Sequence, residues 1–181
     1  PPLWILEDCA LALGSTHSGR HVGLIGDAGC FSFYPAKHIT TGEGGMLVSK
    51  SQEFAEKARL LRSFGYGADS HVDPQVVGLN YRMTEMQAAM GVEQLAKFPV
   101  MLERRKANAA FLKMALEEFS PVGEHYAIAA FVPEGVDRNK VRATLLLEGV
   151  EPSIYYPRPV PDTAYYSRKY GETVCPVARE F

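Results

Sequence analysis

The first fifty residues combine short apolar runs with frequent glycines, which predicts short strands joined by loops. Leu3 to Asp8 is an apolar run that ends in two acids, a pattern typical of a buried parallel strand whose carboxyl end carries polar groups. Residues 30–34 and 46–49 predict two further strands, with Pro35 and a glycine loop between them. This half of the chain is therefore predicted to be α/β.

Apolar residues at helical spacing begin after the predicted strands. Ser51 is the expected N-cap of a helix that ends near Ser63, because a serine hydroxyl can accept a hydrogen bond from an amide of the first turn. Thr84 and Gln87 have the spacing of a capping box, which predicts the start of a second helix over 85–97. Apolar residues lie around most of the circumference of this second helix, so it is expected to be largely buried.

A proline divides the next helical pattern. Pro99 is expected to break the second helix and to lie in the first turn of a third helix that ends near Phe119. This third helix is amphipathic, and its predicted apolar face consists of Ala107, Phe111, Met114 and Ala115. Residues 64–79, between the first two helices, are aperiodic and are expected to form a long surface loop.

The pattern restarts after Pro121 and predicts a small α+β unit. Residues 126–132 and 150–156 are expected to form strands, and Asp137 is the expected cap of a helix between them. Gly149 stands where a helix commonly ends on a left-handed glycine. The long helical pattern before Pro121 is therefore interpreted as a connection between two domains.

Composition and charge exclude several classes of function. The 181 residues are 46% hydrophobic and 22% charged, which is ordinary for a chain that buries a core. The net charge of −2 offers no basic surface for nucleic acid, and no apolar run approaches the roughly 18–20 residues of a membrane helix. Cys9, Cys30 and Cys175 have no metal-binding or disulfide spacing, so no metal site is expected and a reducing cytoplasm fits best.

Residues 31–45 contain the most unusual chemistry of the chain. Lys37 follows a predicted buried strand and precedes a glycine loop, and partial burial there would favour its neutral, nucleophilic amine. Ser32 lies five residues earlier and offers a hydroxyl that can bind a phosphate. The alternative is a solvated loop lysine beside a glycine run that forms only a turn.

Asp8, at the end of the first predicted strand, also has two interpretations. It is either the N-cap of a following helix or a buried anion that binds a cationic ring nitrogen. A lysine for a Schiff base and an aspartate for the pyridinium nitrogen are the two groups that pyridoxal phosphate requires. The presence of both Lys37 and Asp8 therefore makes this cofactor a candidate.

Four segments, in the same order, are similar to one enzyme family. They are Glu7–Ala10, Gly26–Asp27, FSFYPAKHITTGEGGM at 31–46 and LNYRMTEMQAAMGVEQL at 79–95. They closely resemble the DegT/StrS-type sugar aminotransferases, which are fold-type I pyridoxal phosphate enzymes, and the resemblance continues more weakly at 154–159. It implies an α/β, fold-type I transferase, with the later part of the large, mainly parallel domain and part of a small α+β C-terminal domain.

The resemblance also implies how the chain is divided. Family members begin upstream of Pro1 and continue past Phe181, so the chain is expected to be an internal fragment. Residues 1–98 would belong to the large cofactor-binding domain, and 99–119 would be the long connecting helix. Residues 120–181 would form an incomplete small domain.

Four residues receive roles from the resemblance. Lys37 would be the Schiff-base lysine and the proton shuttle, and Asp8 would bind the pyridine nitrogen of pyridoxal 5′-phosphate. Ser32 would form a hydrogen bond with the cofactor phosphate. Asn80 would reach the phosphate from the neighbouring subunit, which implies a homodimer with shared active sites.

The implied activity is the transfer of an amino group, from glutamate in most of the family, to a nucleotide-linked keto sugar. The first alternative is a pyridoxal phosphate-dependent sugar dehydratase of the same fold, although some such relatives carry histidine in place of the lysine. The second is a non-catalytic regulatory relative. The presence of Lys37 and Asp8 favours the aminotransferase. Leu11 departs from the family, which commonly has His or Gln at this position to contact the ring hydroxyl of the cofactor.

Histidines and arginines complete the set of candidates. The five histidines have no ligand spacing and are expected to be surface or structural residues: His17, His21, His38, His71 and His125. Four arginines are candidates to bind a diphosphate, because a guanidinium can donate two parallel hydrogen bonds to phosphate oxygens. They are Arg62, Arg82, Arg104 and Arg158.

Overall fold

A three-stranded sheet organises the first half of the chain in a computed structural model, which describes residues 3–67 and 72–180. The strands of this half are β1 (Leu6–Asp8), β2 (Thr16–His17), β3 (Arg20–His21), β4 (Ala28–Ser32) and β5 (Gly45–Ser49). The sheet has the order β1-β4-β5, in which β1 and β4 run parallel and β5 is antiparallel to β4. β2 and β3 form a small antiparallel hairpin.

Helices and a second hairpin make up most of the remaining chain. They are α1 (Gln52–Arg62), α2 (Glu85–Ala115), β6 (Val122–Glu124), β7 (Ala127–Ala129), α3 (Arg138–Leu147), α4 (Ala164–Tyr170) and α5 (Pro176–Glu180). The chain divides into two compact units, one up to Phe131 and one from Val132. In the described ranges, no helix combines the length and the apolar character needed to cross a bilayer. The domain boundaries at 98 and 119 stay predictions.

The two helix caps predicted for the first unit, at Ser51 and Thr84, are confirmed. The Ser51 hydroxyl accepts a hydrogen bond of 3.2 Å from the amide of Phe54, at the start of α1. At the start of α2, the Thr84 hydroxyl accepts from the Gln87 amide and the Gln87 side chain accepts from the Thr84 amide. These local contacts satisfy amides that an α-helix cannot satisfy by itself.

Strand β1 confirms one prediction and corrects another. It is parallel to β4, with Leu6 opposite Ala28 and Asp8 opposite Cys30. It is not buried, however, because Leu3 and Leu6 are 86% and 63% exposed. β1 is an edge strand of this sheet, and its one apolar residue, Leu6, stays largely exposed.

Helix α2 runs without a break through Pro99, so the predicted division into two helices is wrong. A proline inside a helix removes one hydrogen bond and crowds the preceding turn. Packing on both sides of the proline offsets this cost: Phe98 is only 8% exposed, and Phe98 and Leu102 fill the space beside Gly14. A Cβ atom on Gly14 would lie 2.9 Å from Phe98 and 2.8 Å from Leu102.

The predicted burial of this helical region is also wrong. Phe111 and Met114, from the predicted apolar face, are 62% and 69% exposed, and Met86 at the start of α2 is 82% exposed. The side that packs instead carries Phe98 and Ala109, the two buried residues of the helix. Periodicity shows that a helix has an apolar face, but the neighbouring elements decide which face is covered.

The unit from Val132 contains α3, α4 and α5. The Asp137 carboxylate accepts hydrogen bonds from the amides of Asn139 and Lys140, which confirms the predicted cap. The predicted strand at 150–156 is wrong, because the structure assigns no strand there. A strand needs a neighbour to satisfy its backbone groups, and this segment has none in the described part of the unit.

Candidate active site

Asp8 and Ser32 lie at the same edge of the sheet. β1 and β4 are parallel, so their carboxyl ends meet, and Asp8 is the last residue of β1 while Ser32 is the last of β4. Asp8 is directly opposite Cys30, and Ser32 is two residues beyond Cys30 on the same strand. Because side chains alternate along a strand, Asp8 and Ser32 project from the same face. The carboxyl edge of a parallel sheet is where α/β proteins commonly bind ligands.

Lys37 lies in a closed loop that leaves β4 at this edge. Its amide donates a hydrogen bond of 2.9 Å to the Tyr34 carbonyl, which forms a turn around Pro35. The Phe33 carbonyl accepts from the Thr41 amide at 3.0 Å, so the two ends of the loop are joined. Lys37 is half-buried within this loop. Lys37 is therefore partly covered, and its role stays a prediction.

The glycine loop that follows is tied to the start of α2. Gly42 has a φ of +80°, a conformation that favours glycine, and its amide donates to the Thr40 hydroxyl at 2.9 Å. The Glu43 carbonyl accepts from the Thr41 hydroxyl at 2.7 Å and from the Gln87 side-chain amide at 2.8 Å. Gln87 therefore has two functions: it completes the capping box of α2, and its side-chain amide holds this loop.

Asp8 makes one local contact. Its Oδ1 accepts a hydrogen bond of 3.0 Å from the Ala10 amide, and the side chain is otherwise exposed. This contact caps a turn and not a helix, because the structure assigns no helix to the described residues between β1 and β2, so the N-cap interpretation of Asp8 is wrong. An ionised carboxylate has two oxygens and accepts several hydrogen bonds, so the contact with Ala10 is compatible with a second one to a cationic ring nitrogen.

Glu7, next to Asp8, is a functional candidate that the sequence reasoning missed. Its carboxylate accepts hydrogen bonds from the amides of Gly23, Ile25 and Gly26, at 2.7, 2.8 and 2.8 Å. The Gly23 and Gly26 amides, in that order, hold the pKa of Glu7 below its usual range. Glu7 therefore fastens the segment that connects β3 to β4 onto β1. The available signal was an acid inside an apolar strand, followed by a glycine-rich segment.

Asn80 lies at a different place in this unit. Its backbone forms a bridge with Ser63, just after α1, and the neighbouring Tyr81 amide donates to the Arg62 carbonyl at 2.9 Å. Its side chain is exposed. The structure thus brings Asp8, Ser32 and the Lys37 loop to one sheet edge and positions Asn80 at the end of α1. The role that the resemblance gives Asn80 stays a prediction.

Two of the four candidate arginines line one cavity. Arg62 and Arg82 contribute to an open cavity of about 490 Å³, together with Arg59 and Tyr66. The Arg82 guanidinium also lies 4.9 Å from the centre of the Phe64 ring, which restrains it. The other two candidates are elsewhere: Arg104 is an exposed residue of α2, and Arg158 belongs to the second unit.

A cluster of rings lies beside Lys37. The Lys37 Nζ is 5.4 Å from the centre of the Tyr126 ring. His38 is 3% exposed, and its ring centre is 5.1 Å from that of Tyr126 and 5.0 Å from that of His125. Burial, followed by the charges of His125, Arg105 and Lys37, lowers the pKa of His38 to about 4. His38 is therefore neutral at physiological pH.

Four of the five histidines occupy the surface or structural positions expected of them. His38 and His125 are buried, which fits the structural role considered for them, whereas His17 is exposed and His21 is half-buried. His71 lies outside the described residues, within the loop predicted over 64–79. Among residues 3–67 and 72–180, no group of three or more His, Cys, Asp or Glu side chains is arranged to hold a metal ion.

The groups at this sheet edge suit pyridoxal phosphate. A half-buried lysine amine can bind an aldehyde, a carboxylate can pair with a protonated ring nitrogen, and a hydroxyl can donate to a phosphate. Asp8, Ser32 and Lys37 supply these three groups. Leu11, 52% exposed, supplies no polar atom of its own to a ring hydroxyl.

Comparison with known proteins identifies the family to which this chain is related. The sequence profile of the DegT/DnrJ/EryC1/StrS aminotransferase family matches residues 2–181. The UDP-N-acetyl-3-dehydro-alpha-D-glucosamine 3-aminotransferase of Acidithiobacillus ferrooxidans is 36% identical over 97% of this chain and 49% of its own length. The GDP-perosamine synthase of Escherichia coli O157:H7 is 30% identical over 93% of this chain and 48% of its own length.

Solved structures of aminotransferases have the same fold as this chain. PseC of Helicobacter pylori, an aminotransferase of pseudaminic acid biosynthesis, has a TM-score of 0.78 and 27% identity, over 97% of this chain and 51% of PseC. The chain thus spans about half the length of these relatives. The resemblance and the fold class inferred from the sequence, a fold-type I α/β transferase, are both confirmed. The chain belongs to the DegT/DnrJ/EryC1/StrS aminotransferase family.

Proposed function

We propose that this protein is a pyridoxal phosphate-dependent aminotransferase that moves an amino group from an amino acid, glutamate in the first instance, to a nucleotide-linked keto sugar. The observation that carries the proposal is the position of Asp8, Ser32 and the Lys37 loop at one edge of the β1–β4 pair. Support for the substrate class comes from the names of relatives, which include a UDP-linked amino sugar enzyme and GDP-perosamine synthases.

Each of the three residues has a distinct task in this proposal. Pyridoxal phosphate, when bound, withdraws electrons from the carbon that gains or loses the amino group. Lys37 binds the cofactor covalently through Nζ and then moves a proton at that same atom. Asp8 keeps the ring nitrogen protonated through an ion pair, and Ser32 orients the phosphate by donating a hydrogen bond.

The proposal includes a symmetric homodimer in which Asn80 acts in the active site of the partner subunit. Two observations support it: the exposed side chain of Asn80, and the exposed apolar residues at the start of α2, such as Met86 at 82%. Inactive Lys37→Ala chains mixed with inactive Asn80→Glu chains are expected to regain activity, since one site of each mixed dimer has both residues intact. Tagged mixed dimers that form but stay inactive would contradict a role of Asn80 across the interface.

A dehydratase of the same fold and a non-catalytic relative are less well supported. Some sugar dehydratases of this fold carry histidine in place of the lysine, whereas this chain has Lys37. A regulatory relative would not need Lys37 and Asp8 together at the sheet edge. We also infer a cytoplasmic location, because the three cysteines are free thiols in the structure.

The proposed function is tested by the visible absorption spectrum of the purified protein. Pyridoxal phosphate bound to a lysine absorbs in the visible range, and the addition of glutamate should remove this band as the cofactor takes up the amino group. A nucleotide-linked keto sugar should then restore it. If the band is present but neither substrate changes it, the protein binds the cofactor without the proposed transfer, and the regulatory alternative is favoured.

A further inference from the structure

His38 contains an unexplained polar atom. Its Nε2 is fully buried, and within the described residues it has no hydrogen-bond partner. Leaving a buried polar atom unpaired is unfavourable, so such atoms are rare and call for a physical reason. The residue directly follows Lys37 in the sequence, and the His38 ring and the Lys37 amine both lie beside the Tyr126 ring.

The His38 ring is held from several directions. The Phe98 ring on α2 meets it edge-on, with ring centres 6.2 Å apart and planes at 88°. The hairpin side contributes His125 and Tyr126, at 5.0 and 5.1 Å. Arg105, also on α2, donates hydrogen bonds of 3.3 Å to the carbonyls of both hairpin residues. The ring is therefore enclosed between its own loop, α2 and the residues that join β6 to β7.

These contacts connect His38 to the lysine amine through one intermediate residue. His38 touches Tyr126, and the face of the Tyr126 ring lies 5.4 Å from the Lys37 Nζ. A cation over an aromatic face is attracted by the negative potential of the ring, so the direction of the Tyr126 ring influences where the amine rests. A shift of the His38 ring would move Tyr126 and, with it, the preferred position of the amine.

The charges around His38 also favour a neutral ring in this position. Lys37 on its own loop, Arg105 on α2 and His125 on the hairpin side all act against a positive charge on His38. A protonated His38 would bring an additional cation into a closed space that already contains basic groups. The unpaired Nε2 is thus compatible with a flat, uncharged ring whose shape matters more than its hydrogen bonding.

We propose that His38 is a positioning residue for Lys37: its buried ring holds Tyr126 in place beside the lysine amine. The inference rests on the proposed role of Lys37 as the lysine that binds pyridoxal phosphate. His38 has no direct contact with substrate in this proposal, and it acts only through Tyr126.

The test measures how selectively Lys37 reacts, without relying on turnover. Purified protein, stripped of cofactor, is treated with pyridoxal 5′-phosphate and then with borohydride, and peptide mass spectrometry gives the ratio of adduct on Lys37 to adduct on the exposed Lys50. His38→Phe keeps a flat ring, whereas His38→Ala and His38→Leu remove it. His17→Ala, at an exposed histidine of β2, is the matched control.

We expect His38→Phe and His17→Ala to keep the parental ratio. His38→Ala and Tyr126→Leu should each lower it by about fivefold, because the amine is then no longer held in its reactive position. His38→Leu fills the same space without a ring, so it should lose selectivity while its melting temperature stays close to the parental value. The double variant of His38 and Tyr126 should be no worse than either single variant, because the two act in series.

Three results would overturn the inference. The first is a parental ratio in folded His38→Leu, and the second is a double variant whose loss is the product of the two single losses. In both cases the parental protein still prefers Lys37, so the proposed function stands and only the role of His38 fails. The third is a parental protein without preference for Lys37, which contradicts the proposed function itself.

Discussion

The two sides of the Lys37 loop are built by different means. On the sheet side, Asp8 and Ser32 are positioned by strand pairing, and Asp8 is exposed while Ser32 is half-buried. On the other side, His38 and Tyr126 belong to a packed cluster of rings in which His38 is 3% exposed. Backbone hydrogen bonds thus bring the reactive groups to one edge, whereas packing restrains the amine. Substitutions of Asp8 or Ser32 should therefore change the reaction rate. Substitutions of His38 or Tyr126 should change the stability of the protein and the position of the Lys37 amine.

The largest expected effect is on the reactive amine that both sides share. Lys37→Arg keeps the positive charge near Tyr126 but replaces the amine with a guanidinium that does not form the covalent link to an aldehyde. We expect the visible band to disappear and activity to fall by roughly a thousandfold or more. Spectra and initial rates of the purified variant check this, and an arginine variant that turns over at the parental rate would show that another lysine holds the cofactor.

The next largest effect should separate the two roles of Asp8. Asp8→Asn keeps an oxygen that can accept from the Ala10 amide, so the local turn survives, but it removes the negative charge. We expect kcat/KM to fall in both half-reactions, by several kcal/mol of transition-state stabilisation on a scale of about 1.4 kcal/mol per tenfold. Stability should change little.

Asp8→Ala is the matched control, since it removes both the cap and the charge. If Asp8→Asn reacts normally and only Asp8→Ala is impaired, Asp8 acts as a cap and not as the partner of the ring nitrogen. Rates for the glutamate half-reaction and melting temperatures of the two variants decide between these roles.

The third effect concerns the packed side and should appear in stability. The pKa of His38 is lowered from an ordinary value of 6.5 to about 4 in the folded protein. Between these pH values the unfolded chain binds a proton that the folded chain does not, so the free energy of unfolding falls as the pH falls from about 6.5 to 4. The titration of His38 changes the free energy of unfolding by about 3 kcal/mol over this window. This stability is fully present above pH 6.5 and is lost by about pH 4.

Urea unfolding at several pH values measures this effect. His38→Phe cannot bind the proton, so its stability should decline less over the same window, and the difference in slope isolates His38 from the other titrating groups. Equal slopes for the two proteins would mean that His38 is protonated without cost, and the packed side would then be looser than the ring contacts indicate.

Sequence reasoning succeeded where the decisive contacts are close along the chain. Ser51 with Phe54, and Thr84 with Gln87, are three residues apart, and both caps are present as predicted. It failed at Pro99, where local preference favours a break. The burial of Phe98, beside the distant Gly14, keeps the helix continuous. Propensity is a weak guide when tertiary packing opposes it.

The candidate site shows the same distinction between residues that are close in the sequence and residues that only the fold brings together. The spacing of Ser32 and Lys37, and the acid at the end of the first strand, could be recognised in the sequence because they belong to contiguous motifs. Tyr126 could not, since the amine near it comes from a residue far away in the chain. Glu7 stands out as an acid in an apolar strand, but the amides that it binds could not be identified from the sequence. No periodicity links such residues.

By itself, the sequence determined the helix caps, the order of the motifs and the candidates for the reactive groups, because each depends on side chains within a few residues of one another. Only the tertiary structure decided which face of α2 is covered, that Asp8 and Ser32 share one face of a parallel strand pair, and that a buried histidine and a tyrosine lie beside Lys37. These features depend on where distant segments meet, and the balance of burial and hydrogen bonding over the whole unit sets those meeting points.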